Sequence, residues 1–379
     1  MHSSSYTQKD IGKLLKKSII KEFVDALPLQ MAANCFYSKK DIIDTVIYSI
    51  TNDTFVEYGS KKLKREREIS PSSDVVFYHL PKLDAQNVFS TFQQTNDMLL
   101  KHVQNHGIFD TSVWCGLDIH KIPWFGKKKD IHILGMEKVR GTNFGHGYAS
   151  IECVDPGKRL TLSALPLNQF TTKKKIIRFL INQTRKYATI SRLFLDRDFF
   201  SVESINALKE LSAPFVIPAK RNKKIDKIIR EFKQKCQSPP YEELYSWIGE
   251  YVLKKGKYSA TFTLVIIVES PKELGDEWNV FSYATNMPVT KENAIEIADS
   301  YRSRWGIETG YRVKENVRGK TCSGRYAIRL LLQLLSVLLY NLWQLCNLLI
   351  NIMTKWNKRR YLIILDEFKD IISDVIIGR

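Results

Sequence analysis

Residues 113–122 read VWCGLDIHKI, and the fold of the central part of the chain is predicted outward from them. An apolar residue stands at every second position from Val113 onward, as expected for a β-strand with one buried face. The opposite face carries Trp114, Asp118 and His120. His120 is interpreted as an ordinary hydrogen-bonded histidine. Burying a carboxylate within a hydrophobic strand is costly, so a functional role for Asp118 is favoured.

The pattern after this strand alternates between strand and helix signals. Three strands are followed by a helix at 173–187, a buried strand at 191–200, a helix at 201–211 and a strand reading PFVIPAK at 214–220. Strands interleaved with helices are typical of a layered α/β fold. The order predicts a ribonuclease H-like mixed sheet with helices packed against it.

The charge of the chain indicates its kind of partner. Its 379 residues include 58 Lys and Arg against 40 Asp and Glu, a formal net charge of +18. A soluble protein this basic most often binds a polyanion, usually nucleic acid and sometimes an anionic membrane. The alternative is a general enrichment in lysine without such a partner. The six scattered cysteines show no zinc-ligand spacing, and no apolar signal region begins the sequence, which together predict a reduced, cytosolic protein.

The changes in pattern along the chain predict five segments. Residues 1–110 show helical periodicity and a basic connector, which predict a helical DNA-binding domain. The core is predicted in two parts, at 111–218 and 290–350. Between them, residues 219–289 predict a β-rich insertion subdomain, and Thr290 is expected to cap the helix that follows. A basic helical tail is predicted at 351–379.

One segment, residues 330–353, is long and apolar enough to resemble a membrane span. Polar residues recur along it as a stripe: Gln333, Ser336, Asn341, Gln344, Asn347 and Asn351. The stripe favours a mostly buried amphipathic helix over a lipid-facing one. We therefore expect no membrane partner, with a membrane-associated basic protein kept as an alternative hypothesis.

A second informative stretch, YRSRWGIETGYRVK, begins at Tyr301. Tyr301, Arg304 and Glu308 recur every three or four residues and would share one face of a helix. There the carboxylate could bind a metal ion, while Arg304 and Lys314 could hold phosphate oxygens. A solvated face with ion pairs is the simpler interpretation, which the two upstream carboxylates weaken. Trp305 is interpreted as a packing aromatic.

Three carboxylates occupy positions that the predicted fold can bring together. Asp118 lies within the first core strand, Asp196 ends a later buried strand, and Glu308 lies on the helix after the insertion. If the two strands are neighbours, one metal ion could reach all three side chains. Acids this close repel one another unless cations are bound, and two Mg²⁺ ions could act there on a phosphodiester. Asp198 is the alternative to Asp196 as the functional carboxylate, since the sequence Asp-Arg-Asp is also explained by a turn with a salt bridge.

These motifs resemble those of the DDE transposases of prokaryotic insertion sequences. Asp118 lies in LDIH, Asp196 lies in FLDRDFF, and Tyr301, Arg304 and Glu308 match the signature Y-x2-R-x3-E. The most similar group is the insertion-sequence-four superfamily. The resemblance extends over about residues 110–350, the insertion and the YNLW segment included.

The resemblance implies a ribonuclease H-like catalytic core that cleaves element ends and transfers the 3′-OH into a target. It implies two Mg²⁺ ions per site, with Mn²⁺ as a substitute, held by Asp118, Asp196 and Glu308. The implied partners are the terminal inverted repeats, target DNA and a second copy of the chain in a synaptic dimer, in a prokaryotic cytoplasm. The candidate DNA contacts are Tyr301, Arg304, Arg312 and Lys314.

Two positions depart from the family pattern. The family lysine falls at position 315, which is Glu315, and Lys314 stands one residue early, about 100° around a helix. Asp198 stands where the second motif commonly has a small residue. An active transposase is therefore weighed against a transposase-derived DNA-binding protein or regulator that does not cleave.

Overall fold

The N-terminal part of the chain is helical. The structure is a computed structural model that describes residues 19–236, 244–269, 278–354 and 362–378. Five α-helices of the described residues precede the first strand: α1 Lys21–Ala26, α2 Lys39–Thr51, α3 Val56–Glu66, α4 Ser73–His79 and α5 Ala85–Asn105. Ser38 caps α2, because its hydroxyl accepts the Asp41 N–H at 3.2 Å and the Asp41 carboxylate accepts the Ser38 N–H at 3.0 Å. The periodicity predicted before residue 19 lies outside the described residues.

The strands of the described residues form one mixed sheet. They are β1 Val113–Pro123, β2 Ile133–Val139, β3 Thr142–Cys153, β4 Thr161–Pro166, β5 Ile190–Leu195, β6 Phe215–Pro218, β7 Leu244–Lys255, β8 Tyr258–Glu269 and β9 Asn279–Thr285. The order is β2-β3-β1-β5-β6-β9-β8-β7, and β4 pairs with β3. β1 is antiparallel to β3 and parallel to β5. The predicted α/β class is confirmed, and the strand of Asp118 neighbours the strand that leads to Asp196.

Helices cover the sheet. They are α6 Lys173–Thr184, α7 Val202–Glu210, α8 Lys223–Lys233, α9 Ala294–Ser300, α10 Trp305–Glu315, α11 Tyr326–Thr354 and α12 Leu365–Ile377. α6 packs against β3 and β4, α10 packs against β1, and α11 lies against α5 and β4. The N-terminal helices and the sheet therefore share a continuous hydrophobic core.

The strands between β6 and α9 continue this sheet. β9 pairs antiparallel with β6, β8 pairs with β9, and β7 forms the edge next to β8. The predicted β-rich character of the segment agrees with these strands. The domain boundaries predicted from the sequence stay a prediction.

The segment before α10 differs from the single helix capped by Thr290 that the sequence predicts. Thr290 does not cap a helix with its side chain; its N–H donates to Asn293 Oδ1 at 2.8 Å, and α9 starts after Asn293. A 3₁₀ turn at Tyr301–Arg304 then separates α9 from α10. The predicted single helix is thus two helices, and the tighter turn between them sets the direction in which Arg304 points.

The apolar helix α11 lies inside the protein. Its segment Tyr326–Ile352 has a mean hydropathy of 1.4 and the length of a membrane span, yet 78% of its most apolar window is buried. Asn341 is fully buried: its Nδ2 donates to Asn96 Oδ1 at 2.9 Å and to the Thr161 carbonyl at 2.8 Å, and its Oδ1 accepts the Thr161 N–H. The polar stripe therefore satisfies buried groups of α5 and β4, as a core helix requires.

Candidate active site

Asp118 occupies a buried position on the central strand β1. Its side chain is 18% exposed, and its Oδ1 accepts the Ile119 N–H at 2.8 Å. Burial raises the pKa of Asp118 to about 6, and the nearby carboxylates of Asp196 and Glu308 add to the rise, against the opposing charge of Arg304. A carboxyl in this environment is destabilised as an anion, so an added positive charge would stabilise it.

Asp196 lies beside Asp118 because of the strand register. Leu117 of β1 is paired with Leu195 of β5, and the two aspartates are the next residues on these parallel neighbours. Adjacent strands lie about 4.8 Å apart, which brings the two positions close together. Asp196 begins the 3₁₀ turn Arg197–Phe199, and its Oδ1 accepts the Arg197 N–H at 2.7 Å.

Arg304 joins the third carboxylate to this pair. One terminal nitrogen donates to Glu308 Oε1 at 2.9 Å, and the other lies 3.5 Å from Asp118 Oδ2. The guanidinium is 13% exposed, and its Nε is buried without a hydrogen-bond partner among the described residues. Arg304 thus contacts two of the three acids named from the sequence, Asp118 and Glu308, while the charge of Asp196 acts on it without a hydrogen bond among those described.

The three acids fit a divalent cation by their chemistry but not by their placement. Carboxylate oxygens are the ligands that Mg²⁺ and Mn²⁺ prefer, and the destabilised Asp118 anion fits a cation in its chemistry. In geometry, no group of three or more His, Cys, Asp and Glu side chains is placed to hold a metal ion, among the residues that the structure describes. Arg304 lies between the acids instead. The oxygen atoms of the site are therefore suitable ligands for a cation. While Arg304 is paired with Asp118 and Glu308, however, these oxygens are not placed to bind one.

Tyr301 supports the backbone at the second aspartate. Its hydroxyl donates to the Leu195 carbonyl at 3.1 Å, one residue before Asp196, and its ring packs edge-on against Phe194. Tyr301 therefore positions the end of β5. Its role as a DNA contact stays a prediction.

Asp198 lies at the protein surface. Its side chain is 76% exposed and forms an ion pair with Lys220 at 3.1 Å, while its carbonyl accepts a hydrogen bond from Lys173. The hydrogen bond from Lys220 lowers the pKa of Asp198. The second acid of the Asp-Arg-Asp sequence is thus explained by a surface salt bridge, and Asp196 is the member placed beside Asp118.

The two remaining DNA-contact candidates lie in different environments. Arg312 is exposed on α10. The Lys314 side chain is 3% exposed, and its ammonium forms an ion pair with the equally buried Glu152 of β3 and donates to Thr161 Oγ1 at 3.3 Å. In this position Lys314 ties α10 to the sheet and is not available at the surface.

Trp305 corrects a prediction made from the sequence. The sequence predicts a packing aromatic, because tryptophan is most often buried, but 64% of Trp305 is exposed. It begins α10 directly after Arg304 and the 3₁₀ turn. A large exposed aromatic therefore stands next to the acids.

Sequence reasoning missed the residues that seat α10 on the sheet. Gly116 of β1 faces Ile307, and a Cβ at Gly116 would lie 2.1 Å from that side chain. A Cβ at Gly310 would likewise lie 2.6 Å from Glu152. Only glycine permits this close approach, which brings Glu308 to the strand of Asp118. The available signals were a carboxylate in an apolar strand, at Glu152, and Gly306 and Gly310 four residues apart.

A basic α/β protein with acids gathered beside its central strands has the features of enzymes that process phosphodiesters in nucleic acids. Residues 147–342, a little over half of the chain, match the family described as transposase DDE domain, and the chain belongs to this family. The match includes Asp196 and Glu308 and begins after Asp118.

The comparison with solved structures concerns the fold. The chain is similar to a piggyBac transposase solved by cryo-electron microscopy as a synaptic complex with hairpin DNA, with a TM-score of 0.60 and 12% identity. The similarity covers 97% of this chain and 79% of that one. No curated protein matches the sequence significantly. The likeness at this identity shows a shared fold, and the family match shows the DDE transposase class.

Proposed function

We propose that this protein is an active DDE transposase that cleaves DNA at the ends of a mobile element and joins the freed 3′-OH to target DNA. The observation that supports the proposal is that Arg304 contacts both Asp118 and Glu308, and that the strand of Asp118 pairs in parallel with the strand leading to Asp196. The net charge of +18 supports DNA as the partner.

Each side chain has a part in the proposed chemistry. Asp118, Asp196 and Glu308 would hold divalent cations, Mg²⁺ or Mn²⁺, whose contribution is to activate the attacking oxygen and stabilise the leaving one. Arg304 leaves its carboxylate partners and binds a phosphate oxygen of the DNA, for which a guanidinium is suited. Tyr301 keeps Asp196 in register with Asp118 through its bond to the main chain.

Finer assignments belong to the same proposal. The strand order β4-β3-β1-β5-β6, with β1 parallel to β5 and antiparallel to β3, supports a ribonuclease H-like core. The motif Y-x2-R-x3-E supports the insertion-sequence-four superfamily, a prokaryotic origin, and a cytoplasmic protein that acts on terminal inverted repeats as a homodimer. The piggyBac structure, solved as a synaptic complex with DNA, is compatible with such an assembly.

The test is cleavage of DNA that carries the repeats flanking this gene, with Mg²⁺ or Mn²⁺ present. Asp196→Asn is compared with Asp198→Asn, a matched change two residues away on the exposed side. Wild type and Asp198→Asn are expected to cut at the repeat boundary, and Asp196→Asn to lose at least about 100-fold in rate. Equal rates for the two variants would contradict the assignment of Asp196.

A second candidate function is that of a regulator that binds element ends without cutting them. Two observations favour it: the acids are paired with Arg304 rather than placed for a metal, and Glu315 stands where the family has lysine. Salt-sensitive binding to the repeats with no cleavage in either metal would establish this alternative.

A further inference from the structure

Two histidines lie one turn apart at the C-terminal end of α5. His102 lies in the last turn of the helix, and His106 is its C-cap residue. Side chains four residues apart lie on the same face of a helix. The two ring centroids are 4.5 Å apart, with His102 half-buried and His106 exposed. Two imidazoles at this spacing are the arrangement with which a helix binds Zn²⁺.

The His106 ring has the tautomer and the orientation of a metal ligand. Its Nδ1 lies 2.8 Å from the His102 carbonyl oxygen. Since a carbonyl oxygen can only accept, Nδ1 carries the proton and Nε2 presents the lone pair. A histidine that binds a metal almost always donates its other ring N–H to a carbonyl or a carboxylate in this way. The hydrogen bond therefore prepares Nε2 of His106 to bind an ion.

The His102 ring is neutral, as metal binding requires. Burial lowers the pKa of His102 from its ordinary 6.5, and the charge of His106 acts in the same direction. At pH 7 the ring therefore keeps an unprotonated nitrogen. Two protonated histidines four residues apart would repel each other, although the C-terminal end of a helix favours positive charge. One divalent ion held by both neutral rings brings positive charge to this helix end without that repulsion.

The carboxylate of Asp110 adds negative charge beside the pair. A Cβ at Gly107 would lie 2.8 Å from Asp110 Oδ2, so this side chain folds back onto the residue that follows His106. Within the described ranges, no group of three or more His, Cys, Asp and Glu side chains is placed to hold a metal ion. The two histidines are therefore the protein ligands of the candidate site, and water molecules would complete the coordination of an ion.

The histidine pair lies near the ends of the central strands that are opposite to the acids. Gln104, between the two histidines in sequence, donates from Nε2 to the Tyr187 carbonyl at 3.4 Å, three residues before β5 begins. Asp196 follows the last residue of β5. Asp118 is five residues into the parallel strand β1, about 17 Å at 3.3 Å per residue. An ion on the histidines is therefore separate from any ion that the acids hold.

We propose that His102 and His106 bind one divalent transition-metal ion that favours imidazole, such as Zn²⁺, at the end of α5. Each ring contributes one nitrogen, and the bound ion restrains the last turn of the helix, from which the chain continues to β1. The ion differs in class from the Mg²⁺ or Mn²⁺ that suits carboxylate oxygens. The inference does not rest on DNA cleavage.

Isothermal titration calorimetry of the full-length, untagged protein with Zn²⁺ tests the proposal, after metals are removed with EDTA and the EDTA by dialysis. An excess of Mg²⁺ is present, because Mg²⁺ competes for carboxylate oxygens but not for imidazole. Wild type is expected to bind one Zn²⁺ at the pair. His102→Gln and His106→Gln should each lower this affinity by at least about tenfold, the loss that even an outer hydrogen-bond partner of a ligand typically causes.

The controls separate a chelate from scattered histidine binding. His132→Gln removes a histidine that pairs with Asp130 at 2.7 Å, away from α5, and is expected to keep the wild-type Zn²⁺ affinity. His106 is exposed, so His106→Gln decides the test if His102→Gln does not fold. Equal Zn²⁺ affinity in wild type and His106→Gln would overturn the proposal. Loss of one of two equal Zn²⁺ ions in each single variant would also overturn it, because the histidines would then bind independently.

Discussion

Arg304 donates a 2.9 Å hydrogen bond to Glu308 four residues further along the chain, and the same guanidinium lies 3.5 Å from Asp118. One side chain thus neutralises two of the three acids from different parts of the fold. The arrangement gives the largely buried Asp118 and the partly exposed Glu308 a shared counter-charge, which stabilises them because unpaired buried charges are strongly destabilising. It also means that a divalent cation and Arg304 compete for the same oxygens.

Removing this competition is expected to strengthen metal binding. Arg304→Gln should raise the Mn²⁺ affinity of the DNA-free protein by about tenfold, because a hydrogen bond between charged groups contributes about 1.5 kcal/mol. Isothermal titration calorimetry measures the effect. Arg302→Gln is the control, since the Arg302 side chain is 80% exposed and, within the described residues, forms an ion pair only with Asp299, at 3.7 Å. An affinity that is unchanged or lower in Arg304→Gln would show that the arginine does not compete with the ion.

The raised pKa of Asp118 predicts a pH dependence of stability in the metal-free protein. The ordinary pKa of an aspartate is 3.8 and the pKa of Asp118 in the folded protein is about 6, so the folded state favours the protonated carboxyl. Stability from this group is fully present below pH 3.8 and is lost as the pH rises through 6. Asp118→Asn does not titrate, so its stability relative to wild type should increase between pH 4 and pH 7 by up to about 3 kcal/mol. Urea unfolding of both proteins in EDTA at pH 4 and pH 7 measures the change. If Asp118 had an ordinary pKa, the difference in stability between Asp118→Asn and wild type would be the same at the two pH values.

The buried ion pair between Lys314 and Glu152 predicts a structural role for the lysine. Lys314→Met should lower the free energy of unfolding by about 3–5 kcal/mol, because it removes the counter-charge of the buried Glu152 carboxylate, which keeps only neutral hydrogen bonding such as that from the Ser150 hydroxyl. Arg312→Met on the exposed face of the same helix should change it by less than about 0.5 kcal/mol. Chemical denaturation compares the two. If Lys314→Met loses DNA affinity at unchanged stability, the lysine acts as the DNA contact expected from the sequence.

The hydrogen bonds of Asn341 predict that replacing it by an apolar residue destabilises the protein, although the residue lies in an apolar helix. Asn341→Leu should destabilise the protein by about 2–4 kcal/mol, since the Thr161 N–H and carbonyl are left buried and unpaired. A double-mutant cycle with Asn96→Ala should show a coupling of at least about 0.5 kcal/mol, because the two amides bond directly. Additive effects in the cycle would mean that α5 and α11 are not coupled through these side chains.

The α/β class was predictable from the sequence because it depends on local patterns: apolar alternation marks β1 and an apolar run marks β5. The adjacency of Asp118 and Asp196 was expected only if their strands are neighbours, and the parallel pairing of β1 with β5 meets that condition. The 3₁₀ turn at Tyr301–Arg304 was not predictable from spacing, since a helical period is the same on either side of it. The Lys314–Glu152 pair was missed because it joins residues far apart in sequence. Its burial depends on the close packing of α10 against the sheet that glycine allows, which the sequence does not show.

The pairing of β6 with β9 affects how well the chain tolerates inserted residues. Strand β6 ends at Pro218, the chain continues through β7 and β8 of the same sheet, and β9 returns beside β6, where Val216 lies opposite Thr285. The two ends of the intervening segment are thus fixed side by side, and the entropy of closing such a loop grows only slowly with its length. Sequence added at the β7–β8 turn around Gly256, where a Cβ would meet open space, leaves the acids in register. Additional residues at this turn are therefore expected to be tolerated without displacing the acids.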